Sequence, residues 1–228
     1  MLIKWGSIVV DGSGKLGGHV FSKSRGGNTV RTMARATNPQ TSFQQIIRSR
    51  FARLSQNWRD LTEVQRESWY NAESSFSRTN RFGDVVLLSG KNLYNSLNAQ
   101  RNIIGLSALE TAPMPVELKK SLVTKVDISI GLGELRIFGE FEASTMYVLV
   151  GSPSVSQGKQ NVKNKLRIFG LGQTGGGSGQ LFGSQSMYGK YVDRFGTPSL
   201  GEKIYIGLYF VSNSGQRSTL SNVVANYV

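Results

Sequence analysis

The sequence predicts an α+β chain with three parts: an extended basic N-terminal arm bearing a hairpin, a helical hairpin plus a third helix, and an antiparallel β-sandwich of immunoglobulin or fibronectin III shape. Three observations carry this. Apolar residues recur at three- and four-residue spacing from Phe43 to Ile104 and in short alternating runs beyond Pro115. The pair Pro113 and Pro115 breaks any helix and stiffens the join between the two patterns. The 27 glycines exceed the usual share, which favours turns and β-structure. The expected domains are 1–37, 38–112 and 113–228.

The first 55 residues hold nine Lys or Arg and one acid, Asp11, a net +8 of the chain's +13. Within them Val20–Lys23 and Thr29–Met33 are expected to pair as a hairpin across Ser24-Arg25-Gly26-Gly27-Asn28, because the glycines supply positive φ cheaply. The segment has too few large apolar residues to bury a core alone, so it must pack on the rest of the chain or on a neighbour.

Asn38-Pro39 reads as a helix start, with Asn as cap and Pro in the first turn. Phe43, Ile46, Ile47, Phe51, Leu54 and Trp58 then form one apolar stripe, expected to face inward. Thr62-Glu63-Val64-Gln65 fits a capping box for a second helix with Trp69, Ala72 and Phe76 inward, and the short link 59–61 predicts an antiparallel pair. Ser89 should cap a third helix carrying Leu93, Leu97 and Ile104, with Gly105 as its stop. From 56 to 112 six basic residues balance six acidic ones, and Asp60, Glu63 and Glu67 with Arg59 and Arg66 read as helix-surface salt pairs and macrodipole partners.

Beyond Pro115 the strand candidates are Leu122–Ile130, Glu134–Phe141, Met146–Gly151, Lys165–Leu171, Met187–Asp193, Lys203–Val211 and Leu220–Tyr227. Asn213-Ser214-Gly215-Gln216 reads as a hairpin turn and the glycine-rich stretch 172–179 as a loop. Lys163, Lys165 and Arg167 read as one solvated basic strand.

Several chemistries are excluded. With no cysteine there is no disulfide or thiolate metal site, and His19, the single histidine, has no acid at ligand spacing. No cofactor is expected. Gly12-Ser13-Gly14-Lys15 is not a phosphate loop, because Val9 stands where the first glycine belongs and Leu16 where the magnesium-binding hydroxyl belongs. No apolar run approaches a membrane span, and Met1-Leu2-Ile3-Lys4-Trp5 is too short for a signal-peptide core. The expectation is a protein made and used in a cytoplasm, or in a particle assembled there. A pI near 10.2 points to an acidic partner surface or a polyanion.

The residues expected to meet that partner are Lys15, Lys23, Arg25, Arg31, Arg35, Arg48, Arg50 and Arg53. An assembly arm is favoured over nucleic-acid binding, since Phe21 is the one aromatic between Lys15 and Arg35 and no nucleic-acid motif appears. Tyr188, Tyr191 and Tyr209 would serve a surface adhesin if they formed an exposed platform.

A resemblance sharpens these expectations. Gly14-Lys15-Leu16-Gly17-Gly18, Arg25-Gly26-Gly27, Val30-Arg31, Asn38-Pro39-Gln40-Thr41, Gln44, Arg48-Ser49-Arg50-Phe51, Leu54-Ser55, Trp58-Arg59, Leu61-Thr62, Gln65-Arg66 and Trp69 form an ordered series. Leu88-Ser89-Gly90, Leu93-Tyr94, Leu97-Asn98 and Asn102-Ile103-Ile104 continue it. The series, over about residues 12–105, resembles a family of small structural proteins of tailed bacteriophages and prophages, notably those of Bacteroidota, including crAss-like phages. The resemblance implies a non-enzymatic virion component of the tail or head–tail neck, assembled in the bacterial cytoplasm. Its implied partners are other virion proteins and copies of itself in a symmetric assembly, with non-specific DNA contact allowed and no membrane. The alternatives are a capsid decoration protein and a free nucleic-acid-binding protein.

Overall fold

The computed structural model describes residues 1–6, 11–35, 37–118, 122–129, 133–141, 146–173 and 177–226. Among the expectations above, Val9, Ile130, Tyr227 and residues 174–176 lie outside the described residues. The chain packs as two compact units, Met1–Ser96 with Leu109–Pro115, and Leu97–Ala108 with Val116–Val228.

In the first unit the N-terminal residues build a sheet. Its strands are β1 (Leu2–Ile3), β2 (Gly14–Leu16), β3 (His19–Ser24) and β4 (Gly27–Thr32), in the antiparallel order β1-β4-β3-β2. The expected hairpin is present with a tighter turn, Arg25-Gly26, because Ser24 pairs with Gly27. Gly27 takes φ +109°, which favours glycine, and a Cβ there would also press on the end of the Leu2 side chain at 3.2 Å. Trp5 stacks on Phe21 with ring centroids 5.7 Å apart and gives this small sheet its apolar contact. Gly14–Leu16, which the sequence excludes as a phosphate loop, is a strand of this sheet.

Helix α1 (Ser42–Asp60) starts three residues later than Asn38-Pro39 implied, with Thr41 as cap and its hydroxyl accepting from Gln44 N–H. The Asn38 side chain instead accepts from Arg48 at 2.7 Å. Helix α2 (Glu63–Asn71) opens on the expected capping box, Thr62 and Gln65 each bonding the other's backbone N–H. Arg66 makes no surface salt pair among the described residues. Its guanidinium donates to the Leu61 and Arg59 carbonyls, closing the electronegative end of α1. A short pair, β5 (Arg78–Thr79) and β6 (Val85–Val86), precedes α3 (Gly90–Ile103), whose first N–H is held by the Glu73 carboxylate at 2.6 Å.

The core of this unit is aromatic. Trp58 of α1 and Trp69 of α2 each lie 5.2 Å, ring to ring, from Tyr94 of α3. Leu54, Leu61 and Leu93 are buried with them. The segment 109–115 straps back onto α2, where the Trp69 indole N–H donates to the Glu110 carbonyl at 2.8 Å and Ala112 N–H to the Ser68 hydroxyl at 3.1 Å.

In the second unit the strands are β7 (Leu122–Ser129), β8 (Glu134–Phe141), β9 (Met146–Gly151), β10 (Arg167–Gln173), β11 (Gly177–Ser184), β12 (Lys203–Phe210) and β13 (Ser221–Asn226). They form two antiparallel sheets, β11-β8-β7 and β10-β9-β12-β13. One core joins Val126, Leu135 and Ile137 of the first sheet to Leu149, Ile204, Ile206 and Leu208 of the second. The opposite face of β9 and β12 is covered too: Val148, Val150 and Tyr209 pack with Ile103, Ile104 and Leu106 at the end of α3. This double burial explains why β12 runs Ile-Tyr-Ile-Gly-Leu-Tyr without alternating polarity.

Four expectations are corrected here. Residues 187–193 are no strand: they belong to helix α4 (Gln185–Phe195), whose Met187 and Tyr191, four residues apart, enter the core. The described ends of the glycine-rich stretch are strand, since β11 pairs with β8 from Gly177 onward. The three-residue basic strand divides into a 3-10 turn (Lys163–Lys165) and β10, with Arg167 donating to the Asn164 and Leu166 carbonyls. The tyrosines make no platform, because Tyr191 and Tyr209 are buried and Tyr188 packs against the core.

Candidate docking interface

The eight basic residues do not act as one arm. Lys23 is held by Asp11 at 2.5 Å and Arg25 reaches Glu73 at 3.4 Å. Hydrogen bonds from the Lys23 ammonium and the Gly12 N–H keep the Asp11 carboxyl below its usual range. Lys15 and Arg31 both stand opposite Val20, forming one row across β2, β3 and β4, and Arg35 is exposed just beyond the sheet. None of these three has an ion-pair partner among the described residues.

Arg48, Arg50 and Arg53 lie on α1, and around them the structure departs most from expectation. Every residue from Ser42 to Arg53 is exposed. The apolar stripe is sealed only at its C-terminal end, where Leu54 and Trp58 are 1% and 7% exposed. Its first half leaves Phe43 53%, Ile46 45%, Ile47 59% and Phe51 56% exposed.

Helix length accounts for this. The 19 residues of α1 span roughly 28 Å, while the 9 of α2 span roughly 13 Å, so α2 is too short to line more than about half of its neighbour. Three turns of α1 therefore carry an amphipathic stripe that α2 leaves exposed, most openly at Ile47 and Phe51. Arg50 sits within that stripe, seven residues from Phe43, and Arg53 borders it beside Ile46. From Ser42 to Arg59 the helix has no acidic residue. The surface is apolar at its centre and positive at its centre and rim.

A second surface of opposite sign is on α2, and sequence reading missed it. Glu63, Val64, Glu67 and Tyr70 are exposed on one helical face, at spacings of one, four and seven. Neither glutamate, nor the adjacent Asp60, makes an ion pair among the described residues. The pairing expected with Arg59 and Arg66 hid them, because Arg66 turns to backbone carbonyls.

A shallow cleft of about 380 Å³ lies between β1 and the turn at 80–84, lined by Leu2, Trp5, Asn28 and Phe82 among others. The Trp5 indole N–H and the Asn28 side-chain oxygen are buried there without hydrogen-bond partners among the described residues. Lys4 closes the cleft by pairing with Asp84 at 3.0 Å and lying over the Phe82 ring. Hydrogen bonds from Lys4 and Asn80 hold the Asp84 carboxyl low, so its lone charge is already engaged. Among the described residues no group of His, Asp and Glu is arranged to hold a metal ion, and no helix is long and apolar enough to cross a membrane.

Comparison with protein-family models, with curated proteins and with solved structures finds no match to this chain.

Proposed function

We propose that the chain is a non-enzymatic structural subunit of a bacteriophage virion, of the tail or head–tail neck, which docks on a neighbouring subunit through the exposed half of α1. The observation that carries the docking reading is the stripe Phe43, Ile46, Ile47 and Phe51, each at least 45% exposed on a helix without acids before Asp60. Moving each of these side chains out of water contributes on the order of 1 kcal/mol, so the face gains from being covered. The phage assignment rests on the ordered resemblance over residues 12–105. A capsid decoration role uses the same face and remains the alternative position.

The second unit fits the role of spacer or second docking body. Its first, second and fifth strands share one sheet and its third, fourth, sixth and seventh the other. That partition supports reading it as an immunoglobulin or fibronectin III-like sandwich with α4 inserted before the sixth strand. The basic residues serve electrostatic steering toward an acidic neighbour.

The test is incorporation. A tagged chain produced during phage growth should purify with banded particles, and one carrying Ile47→Glu and Phe51→Glu should stay in the soluble fraction. Equal recovery of both in particles overturns the docking reading, and absence of the wild-type chain from particles overturns the virion reading.

A further inference from the structure

We propose that the occupant of the exposed α1 face is α2 of a second copy of this chain, in a head-to-tail contact. The inference rests on the docking reading above and names the partner. Charge decides between the candidates within the chain. Two α1 stripes laid together would set Arg50 and Arg53 of one copy against the same arginines of the other, with no carboxylate on either helix before Asp60. The α2 face offers the complement: Glu63 and Glu67 unpaired among the described residues, with Val64 and Tyr70 exposed beside them.

The dimensions agree. Phe43 to Phe51 and Glu63 to Asn71 each cover nine residues, about 12 Å from first to last. Ile47 and Phe51 meet Val64 and Tyr70, while Arg50 and Arg53 meet Glu67 and Glu63. The contact must be intermolecular, because Ile47 lies about 20 Å up α1 from the link to α2 and the chain's own α2 is too short to reach it. Since the two faces differ, a copy that meets a different neighbour through each face propagates into a ring or a filament.

The lack of cysteine makes the test free of background. Full-length Ile47→Cys and Val64→Cys chains, mixed under mild oxidation, should give a disulfide-linked dimer, and neither chain alone should. A dominant Ile47→Cys homodimer means that α1 pairs with α1, and overturns the proposal. A charge-reversal series supplies the second arm, read by sedimentation of the full chain. Arg50→Glu with Arg53→Glu should lose the higher oligomers, Glu63→Arg with Glu67→Arg should lose them too, and the chain with all four changes should regain them. Failure of the fourfold variant to regain them while its melting temperature is unchanged overturns the pairing. A wild-type chain that stays monomeric at high micromolar concentration also overturns it. In that event, continued loss of incorporation by Ile47→Glu, Phe51→Glu shows that α1 docks on a different protein, so the two readings fail separately.

Discussion

Ile47 and Leu54 lie on the same stripe of α1, two turns apart, yet Leu54 is 1% exposed and Ile47 59%. One helix face thus serves two purposes, core at its C-terminal end and surface at its N-terminal end. The difference should be measurable as stability. Leu54→Ala should cost about 2–4 kcal/mol in urea unfolding, as for a large-to-small change at a sealed site. Ile47→Ser should change monomer stability by less than about 0.5 kcal/mol. A cost at Ile47 comparable to that at Leu54 would mean that the stripe is packed within the chain.

The aromatic core makes a sharper prediction at Trp69. Its indole N–H is the only donor on the ring and bonds the Glu110 carbonyl. Trp69→Phe should lower stability by about 2–4 kcal/mol, from the lost ring volume and the hydrogen bond to the strap together. The companion change Trp58→Phe, at a ring whose N–H makes no bond to the strap among the described residues, should cost less, and urea melts of the two variants compare them.

Gly215 combines φ +82° with a site where an added Cβ would collide with the Leu97 carbonyl oxygen. Gly215→Ala should destabilise the second unit by about 2 kcal/mol or more, because backbone and not a movable side chain blocks the methyl group. Thermal melting checks this, and an unchanged midpoint would contradict it.

Burial pushes the phenols of Tyr94, Tyr191 and Tyr209 above their ordinary value near 10. Tyr191, whose hydroxyl donates to the Ser152 carbonyl at 2.8 Å, is raised furthest. Below the unfolded value both states hold the proton and the stabilisation is complete. Above it the unfolded chain loses protons that the folded chain retains, so stability should fall as pH rises past about 10. Melting temperatures between pH 8 and pH 11 should show that decline, and Tyr191→Phe should flatten part of it.

The sheet row of Lys15 and Arg31 bears on the nucleic-acid alternative. With Lys23 and Arg25 engaged by carboxylates, duplex DNA binding by the free chain should be weak and lost near physiological salt. Tight binding there, with a steep salt slope, would favour a nucleic-acid role over assembly.

Much of the fold is legible in the residues, and the failures have physical causes. Glu134–Phe141 and Met146–Gly151 match their strands end to end, and the Thr62 capping box is found where it was read. Met187–Asp193 misleads because a seven-residue window with Gly189 inside it cannot separate a period of two from 3.6; Phe195, two residues on, completes the helical pattern. β11 was missed because Gly177, Gly179 and Gly183 leave little side-chain alternation to read. For the docking face, periodicity locates the stripe on α1 but says nothing of what covers it. The mismatch in length between α1 and α2 was present in the spacing of Thr41, Thr62 and Ala72, and is the signal that separates core from surface.

Alkylation of a single introduced thiol tests the central claim most directly. In an Ile47→Cys chain a maleimide should react rapidly when the protein is free and very slowly once it is assembled, while Leu54→Cys should react slowly in both states. Equal rates for Ile47→Cys in the free and assembled protein would contradict the claim that this half of α1 is where the subunit docks.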